Sequence, residues 1–146
     1  MSNTYCPLPL DSRDDESNAI AKLLAAERIA VVGASDDPSR ASHQIARYLL
    51  AHNKQIIPVN PNHDEVLGLK CYPSLHVAPA PIDLVNVFRR PEFCEDVARQ
   101  AIEIGAKGIW LQSGIHNERA RKLARDAGIA FVEDRCIMVE HMRRLI

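Results

Sequence analysis

The sequence predicts an α/β domain of three layers, in which helices cover both faces of a doubly wound parallel sheet. Five short runs of apolar, often β-branched residues alternate along the chain with segments of helical periodicity. Such segments of about 10–15 residues act as right-handed crossovers between parallel strands and place helices on both faces of the sheet. The length of 146 residues fits one domain of this kind.

The N-terminal residues 1–16 are predicted to form a tail, and residues 17–146 to form the domain. The tail contains two prolines and ends in the acidic stretch Asp14-Asp15-Glu16, whose charges suit the first turn of a helix. Apolar residues then recur at helical spacing and predict a helix that ends near Glu27. These apolar residues are Ala19, Ile20, Leu23 and Leu24.

The first two strands are predicted on either side of a short amphipathic helix. Ile29–Val32 and Gln55–Val59 are the strands, and Ser42–His52 is the helix. Pro58 lacks the N–H group that a sheet ladder needs, so we expect it at its strand's end or on a side without a neighbour.

The rest of the chain continues the alternation after a proline-rich segment. Residues 60–81 predict only a short extended piece near Lys70–Tyr72 and one helical turn after Ser74. The elements that follow are a strand over 82–88, a helix from Pro91 to Gly105, a strand over 108–111, a helix over 117–127 that Gly128 stops, a strand over 129–132 and a final helix over 137–144.

Charge and cysteine content exclude several classes of protein. The chain has 18 Lys and Arg against 19 Asp and Glu, without the clustered positive charge that nucleic-acid binding needs. No apolar run approaches the length of about 18 residues that spans a membrane, and the N-terminus does not read as a signal peptide. The four cysteines are not spaced as zinc ligands. We therefore expect a cytoplasmic protein with reduced thiols, bound to neither membrane nor nucleic acid.

The turn after the first strand, Gly33–Arg40, has the composition of an anion-binding loop. Gly33 permits a tight turn, and the amides that follow it attract negative charge together with the helix N-terminus. Ser35 and Ser39 add hydroxyl donors, and Arg40 adds a full positive charge. The alternative is an ordinary strand–helix turn with capping serines.

The same turn lacks the dinucleotide fingerprint G-x-G-x-x-G, because Ser35 and Pro38 stand where its other glycines are needed. The second strand ends Val59-Asn60-Pro61, without the acidic residue that holds the ribose 2′-hydroxyl of NAD. NAD is therefore disfavoured, whereas a phosphorylated ribose is tolerated. No Gly-Lys-Ser/Thr follows the strand, which excludes a Walker loop.

Three later strand ends also carry polar or reactive side chains. Arg89, after Phe88, can form charge-assisted hydrogen bonds to phosphate or can be a solvated surface arginine. The turn Gln112-Ser113-Gly114 can line a pantetheine-like chain, or its glycine can simply supply an unusual backbone conformation. Cys136 lies near a helix N-terminus and an arginine, a setting that activates some thiols, although most single cysteines are buried and inert.

Together the strand-end motifs resemble the stand-alone coenzyme A (CoA)-binding domain proteins, which are similar to the nucleotide-binding domain of the succinyl-CoA synthetase α subunit. The likeness covers about residues 17–144, and five motifs in order, each after a strand, are a specific signal. The motifs are Val31-Val-Gly-Ala-Ser35 with Asp37-Pro-Ser-Arg40, Pro58-Val-Asn-Pro61, Val87-Phe-Arg89, Trp110-Leu-Gln-Ser-Gly114 and Asp134-Arg-Cys136.

The resemblance implies a Rossmann-like domain with CoA as its ligand. It puts the Gly33-Ala34-Ser35 loop and Arg40 near the pyrophosphate or the 3′-phosphate. The other implied contacts are Val59, Asn60 and Pro61 beside the adenosine, Phe88 and Arg89 at the middle of the nucleotide, Gln112, Ser113 and Gly114 along the pantetheine arm, and Cys136 toward the thiol.

Two departures from the synthetase pattern bear on activity. The relatives place a lysine shortly after the turn that Asn60-Pro61 occupies, where this chain has Asn62-His63. Their phosphorylated histidine lies in a second domain that we do not expect here, so neither His116 nor His141 takes that role.

The predicted function is therefore binding of CoA or an acyl-CoA without catalysis, by a homo-oligomer or beside a partner enzyme subunit. The alternatives are a subunit or remnant of an acyl-CoA ligase, a thiol-redox protein that uses Cys136, and an NAD(P)-binding regulator.

Overall fold

The computed structural model describes residues 8–145, in which helices alternate with the strands of a parallel sheet. The helices are α1 (Leu8–Leu24), α2 (Ala41–Ala51), α3 (Cys94–Glu103), α4 (Glu118–Ala127) and α5 (Ile137–Arg143). The strands are β1 (Arg28–Val32), β2 (Gln55–Val59), β3 (Glu65–Val66), β4 (Leu69–Lys70), β5 (Leu84–Val87), β6 (Gly108–Leu111) and β7 (Ala130–Val132).

The main sheet has the strand order β2-β1-β5-β6-β7, and each neighbouring pair is parallel. At its carboxyl edge, Val32 of β1 lies between Val59 of β2 and Val87 of β5. The chain steps from β1 to one side and then returns past it to build β5, β6 and β7 on the other side. The strand order therefore reverses between β1 and β5, where a doubly wound sheet opens a ligand crevice.

The two faces of the sheet carry separate hydrophobic clusters, because successive side chains of a strand point to opposite faces. Val31 packs in one cluster with Leu49 of α2, and that cluster also contains residues of α1 and α5. Val32 packs in the other cluster with Val97 of α3, and that cluster also contains residues of α4. The predicted three-layer α/β fold with a doubly wound parallel sheet is confirmed.

The first helix differs from its predicted bounds. It already begins at Leu8, so residues 8–16 are helical and not a simple tail, and it ends at Leu24, before Glu27. Within this helix, the Glu16 carboxylate lies 2.8 Å from Arg135 Nη2, a partner 119 residues along the chain, which the sequence could not indicate. Residues 1–7 lie outside the described residues, and the domain boundary itself stays a prediction.

Pro58 lies in the edge strand β2, as its missing N–H group requires. Its carbonyl oxygen accepts from the Tyr72 N–H at 3.0 Å, and the Tyr72 carbonyl accepts from the Asn60 N–H at 2.8 Å. The outer side of β2 near Pro58 meets this isolated bridge and no further strand of the main sheet, so an N–H group at Pro58 is not needed there. The predicted extended piece near Tyr72 and the turn after Ser74, which is a 3-10 helix over Leu75–Val77, are confirmed.

The hairpin of β3 and β4 was not predicted. Its tight turn holds Leu67 at φ 54° and Gly68 at φ 73°. A leucine in the left-handed region carries no turn signal in a sequence, because that conformation normally belongs to glycine or asparagine.

Candidate functional site

A cavity of about 740 Å³ opens at the carboxyl edge of the main sheet, over the point where strand order reverses. The strands β1, β2, β5 and β6 contribute residues that directly follow them, β7 contributes Cys136 four residues after its end, and α2 contributes its first turn. The predicted site residues that line the cavity are Gly33, Ser35, Arg40, Asn60, Phe88, Arg89, Gln112, Ser113 and Cys136. Residues spread over more than a hundred positions thus meet in one cavity of ligand size.

Gly33 allows the ends of β1 and β5 to approach each other at the floor of this crevice. Its φ is +89°, and a Cβ atom at this position would lie 2.6 Å from the carbonyl oxygen of Phe88. The Gly33 N–H donates to the Val59 carbonyl at 2.9 Å, while the Phe88 N–H donates to the Val32 carbonyl at 2.8 Å. Any side chain at position 33 would push these strand ends apart.

The acidic loop tip is held away from the cavity by its own hydrogen bonds. The Asp37 carboxylate accepts from the Ser39 N–H at 2.9 Å and from the Ser39 hydroxyl at 2.8 Å. The hydrogen bond from the Ser39 N–H is the main reason that the pKa of Asp37 is lowered, and the hydrogen bond from the Ser39 hydroxyl is the next largest. Ser39 therefore stabilises the turn and does not line the cavity. Ser35 does both, because it lines the cavity and its Oγ accepts from the Asp37 N–H at 3.0 Å.

The first turn of α2 points donors at the cavity. Arg40 occupies the N-cap position without a side-chain cap, and Ala41 and Ser42 follow it in the cavity wall. Within residues 8–145, neither the Ala41 nor the Ser42 N–H has a hydrogen-bond partner. Free amides at a helix N-terminus attract anions, and the Arg40 guanidinium adds a full charge beside them.

The charged side chains that line the cavity are cationic. They are Arg40, Arg89 and Arg90, and among the described residues no carboxylate lines the cavity. The Arg89 guanidinium lies over the Phe93 ring at 4.5 Å from its centroid, and that of Arg90 lies at 5.5 Å. This cation–π contact orients the Arg89 side chain without neutralising its charge.

Cys136 is held in the cavity wall by two side chains of β6 and its extension. The Trp110 indole N–H donates to the Arg135 carbonyl at 2.7 Å, and the Gln112 Oε1 accepts from the Ile137 N–H at 3.1 Å. Cys136 lies between these two anchors as the N-cap residue of α5, and its side chain makes no capping hydrogen bond. Its thiol is free and only half-buried.

The other two described cysteines have a different environment. Cys71 and Cys94 are buried and free, and neither lines the cavity. Burial raises the pKa of the Cys94 thiol to about 11 and also raises the pKa of Cys71. Cys6 lies outside the described residues. Of the three thiols in the described part of the chain, only that of Cys136 can meet a ligand in this cavity.

Five predicted site residues lie outside the cavity lining, Ser39 among them. Ala34 and Val59 are buried in the core, because they continue the two hydrophobic faces of the sheet. Pro61 lines a smaller neighbouring cavity of about 130 Å³. The Gly114 N–H is already used, since it donates to the Asp134 carboxylate at 2.6 Å and thereby lowers the pKa of Asp134.

Several lining residues were missed in the sequence. They are Ala41, Ser42, Ile45, His63, Arg90, Pro91 and Ile115. Arg90 and Pro91 directly follow Arg89, and the sequence does not show how far the turn after β5 extends along the cavity. His63 belongs to the irregular segment after β2, and its Nδ1 lies 3.7 Å from the Asp36 carboxylate. The α2 residues have small or apolar side chains that carry no ligand signal in a sequence, and their position at the start of the helix brings them to the cavity.

The side chains of residues 15–145 include no group of histidine, cysteine and carboxylate side chains with the geometry of a metal site. Among residues 8–145, no helix is both long and apolar enough to cross a membrane.

The chain is similar to both small and large proteins. It is 44% identical over 119 residues to the uncharacterized protein YneT of Bacillus subtilis, which covers 82% of this chain and 88% of that protein. It is 27% identical over 120 residues to the α subunit of ADP-forming acetate–CoA ligase II from Pyrococcus furiosus. That match covers 75% of this chain and 26% of the ligase subunit, so this chain spans about a quarter of its length.

A solved structure shares the fold at similar identity. It is a hypothetical protein from Pyrococcus horikoshii, 40% identical, with a TM-score of 0.85 over 90% of this chain and 92% of that one. The family model described as the CoA binding domain matches residues 27–142. This range includes all five strands of the main sheet and every residue of the cavity lining. The chain therefore belongs to the CoA-binding domain family.

Proposed function

We propose that this protein binds coenzyme A, free or acylated, in the cavity at the carboxyl edge of the sheet and catalyses no reaction of its own. One observation carries the proposal: Arg40, Arg89 and Arg90 line a cavity into which no described carboxylate projects. CoA presents a pyrophosphate and a 3′-phosphate, and arginine forms charge-assisted, often bidentate hydrogen bonds with such groups.

The polarity of the cavity supports the same ligand. Its cationic part is built by α2 and by the turn after β5, whereas Gln112, Ser113 and Cys136 form an uncharged part after β6 and β7. CoA has the same division, with phosphates at the nucleotide and an uncharged arm that ends in a thiol. A compact dinucleotide such as NAD carries no such arm.

Calorimetric titration with CoA, dephospho-CoA and NAD tests the proposal directly. We expect CoA to bind more tightly than the other two, because only CoA offers the 3′-phosphate and the full arm. Mass spectrometry of the small molecules released from the purified, denatured protein is an independent measurement. Equal affinities for all three ligands, or no binding of CoA, would contradict the proposal.

Two arginine variants test where the ligand binds. Arg40→Ala and Arg89→Ala should each weaken CoA binding by about 1–3 kcal/mol, the range for hydrogen bonds to charged groups. Arg125→Ala is the matched control, because Arg125 is exposed on α4 and does not line the cavity. If the control matched the two variants, the loss would reflect overall charge and the site would lie elsewhere.

A second candidate function is thiol exchange at Cys136, favoured by the free, half-buried Cys136 in the cavity wall. The Cys136 thiolate would attack a disulfide of CoA, so that one S–S bond breaks, a new one forms between Cys136 and CoA, and the other thiol leaves as thiolate. Intact-mass analysis of the protein with CoA disulfide should show one CoA adduct, which Cys136→Ser abolishes and Cys94→Ser retains. An adduct on another cysteine, or none, would contradict this candidate.

The similarity to ligase subunits also supports a partner. We propose that the domain acts beside a second enzyme subunit or as a homo-oligomer, in the cytoplasm. Light scattering of the purified protein with and without CoA tests the oligomer, and a monomer under both conditions would leave only the partner subunit.

A further inference from the structure

A buried asparagine lies in the middle of β5. Asn86 is fully buried, and its register neighbours are Val31 of β1 and Trp110 of β6, both inside the core. Its Oδ1 atom is buried without a hydrogen-bond partner in the described part of the chain. An unpaired buried oxygen is destabilising, so packing alone does not explain this residue.

The hydrogen bonds of Asn86 explain its orientation. The Ile137 N–H can only donate, and it donates to Gln112 at 3.1 Å, so the Gln112 atom at that point is its Oε1. The same Oε1 accepts from Asn86 Nδ2 at 3.1 Å, and Asn86 Nδ2 also lies 3.3 Å from the Trp110 carbonyl. Asn86 must therefore present its nitrogen to Gln112, and its own oxygen is left unpaired as a consequence.

The same bonds decide which end of Gln112 is available to a ligand. Gln112 is 5% exposed and lines the cavity, and its Oε1 is occupied by the two donors from Asn86 and Ile137. Its Nε2 makes no hydrogen bond to the side chains of residues 15–145 or to the backbone of residues 8–145. This N–H donor at the cavity wall is therefore available to an acceptor of the ligand.

We propose, resting on the CoA function above, that Gln112 determines specificity by donating from Nε2 to an amide carbonyl of the ligand's uncharged arm, and that Asn86 is the positioning residue that fixes this donor. The carbonyl groups of the pantetheine arm are acceptors without charge. The cationic groups hold the phosphates, and the Gln112 donor distinguishes ligands by the arm that follows them.

Gln112→Glu tests the direction of the hydrogen bond. A carboxylate can still accept from Asn86 Nδ2 and the Ile137 N–H, so the fold keeps both contacts, but the donor to the ligand is lost. CoA is compared with adenosine 3′,5′-bisphosphate, which carries phosphates and lacks the amide arm. We expect CoA affinity to fall about tenfold and bisphosphate affinity to change by less than about twofold.

The bisphosphate also measures the effect of the added negative charge, because both ligands are anionic. Equal losses for the two ligands would mean that charge alone acts, and would overturn the inference while leaving CoA binding intact. Failure of the wild-type protein to bind CoA at all would overturn both the inference and the proposed function.

Asn86→Leu tests the positioning role. Removing the Nδ2 donor should lower the ratio of CoA affinity to bisphosphate affinity about threefold or more, since the Gln112 amide is then held only by the Ile137 N–H. A merely structural role would weaken both ligands equally and leave this ratio unchanged, which would contradict the assignment.

Should Asn86→Leu fail to fold, NMR of the wild-type protein still tests the Gln112 donor. The Gln112 side-chain NH₂ resonances should shift on addition of CoA and stay in place on addition of the bisphosphate. An unchanged Gln112 resonance in the CoA complex would overturn the proposal without any variant.

Discussion

Gly33 is the residue on which the sheet and the candidate site both depend. It ends β1, turns the chain at φ +89° and lets the backbone of Phe88 approach to a distance at which no side chain fits. Gly105, after α3, shares the positive φ at +77°, but nothing lies within 4 Å of the place where its Cβ would be. A side chain at position 105 would therefore meet only backbone strain, whereas one at position 33 would meet both strain and a steric clash.

Gly33→Ala is expected to destabilise the protein by about 3 kcal/mol or more, because left-handed strain of about 1–2 kcal/mol adds to the clash with the Phe88 carbonyl. Gly105→Ala should lose only the strain, about 1–2 kcal/mol. Urea unfolding of both variants measures the difference. Equal losses would show that the close approach of β1 and β5 is unimportant for stability.

At the level of secondary-structure elements, Asp83 joins the beginnings of the three central strands. Its carboxylate accepts from the Arg28 N–H at the start of β1 at 3.0 Å. Its backbone carbonyl accepts from the Lys107 N–H just before β6, and the Lys107 ammonium lies 3.6 Å from its Oδ1. The Arg28 hydrogen bond is the main reason that the pKa of Asp83 is lowered.

This arrangement predicts a pH-dependent contribution to stability. An unfolded aspartate has a pKa of about 3.9, and the folded pKa lies below it. The stabilisation is therefore complete above about pH 5 and is lost as the pH falls through the folded pKa. Asp83→Asn should cost about 1–2 kcal/mol at pH 7, and its difference from the wild type should shrink below about pH 4.

Urea unfolding at pH 7, 5 and 3 checks the prediction. Asp126→Asn is the matched control, because Asp126 pairs with Lys122 on the exposed surface of α4 and contributes little. A difference between wild type and Asp83→Asn that stays constant down to pH 3 would contradict the assigned role.

For the whole molecule, the parallel topology brings together charges that are far apart in the chain. The net charge is −1, yet Arg40, Arg89 and Arg90 surround one cavity. Carboxylates sit elsewhere in their own networks, as Glu140 does, buried among Arg135, Arg143 and Arg144. The balance of charge over the chain therefore conceals a locally cationic cavity.

The sequence was sufficient for the alternation of strands and helices and for much of the site. Periodicity reports which face of an element is buried, and in a parallel sheet every strand ends at the same edge. Gly33, Arg40, Arg89, Gln112 and Cys136 were found for that reason, since each stands at a strand end or at the helix that follows it.

Tertiary structure alone decided the features that depend on contacts between distant residues. The early start of α1 accompanies the pairing of Glu16 with Arg135, and the place of His63 in the cavity depends on the path of an irregular segment. In the sequence, Asn86 is a single polar residue within an apolar strand. Only the fold brings Gln112 next to it and Ile137 next to Gln112. Local sequence determines which residues reach the edge of the sheet, whereas the three-dimensional packing determines which hydrogen-bond donors remain free there.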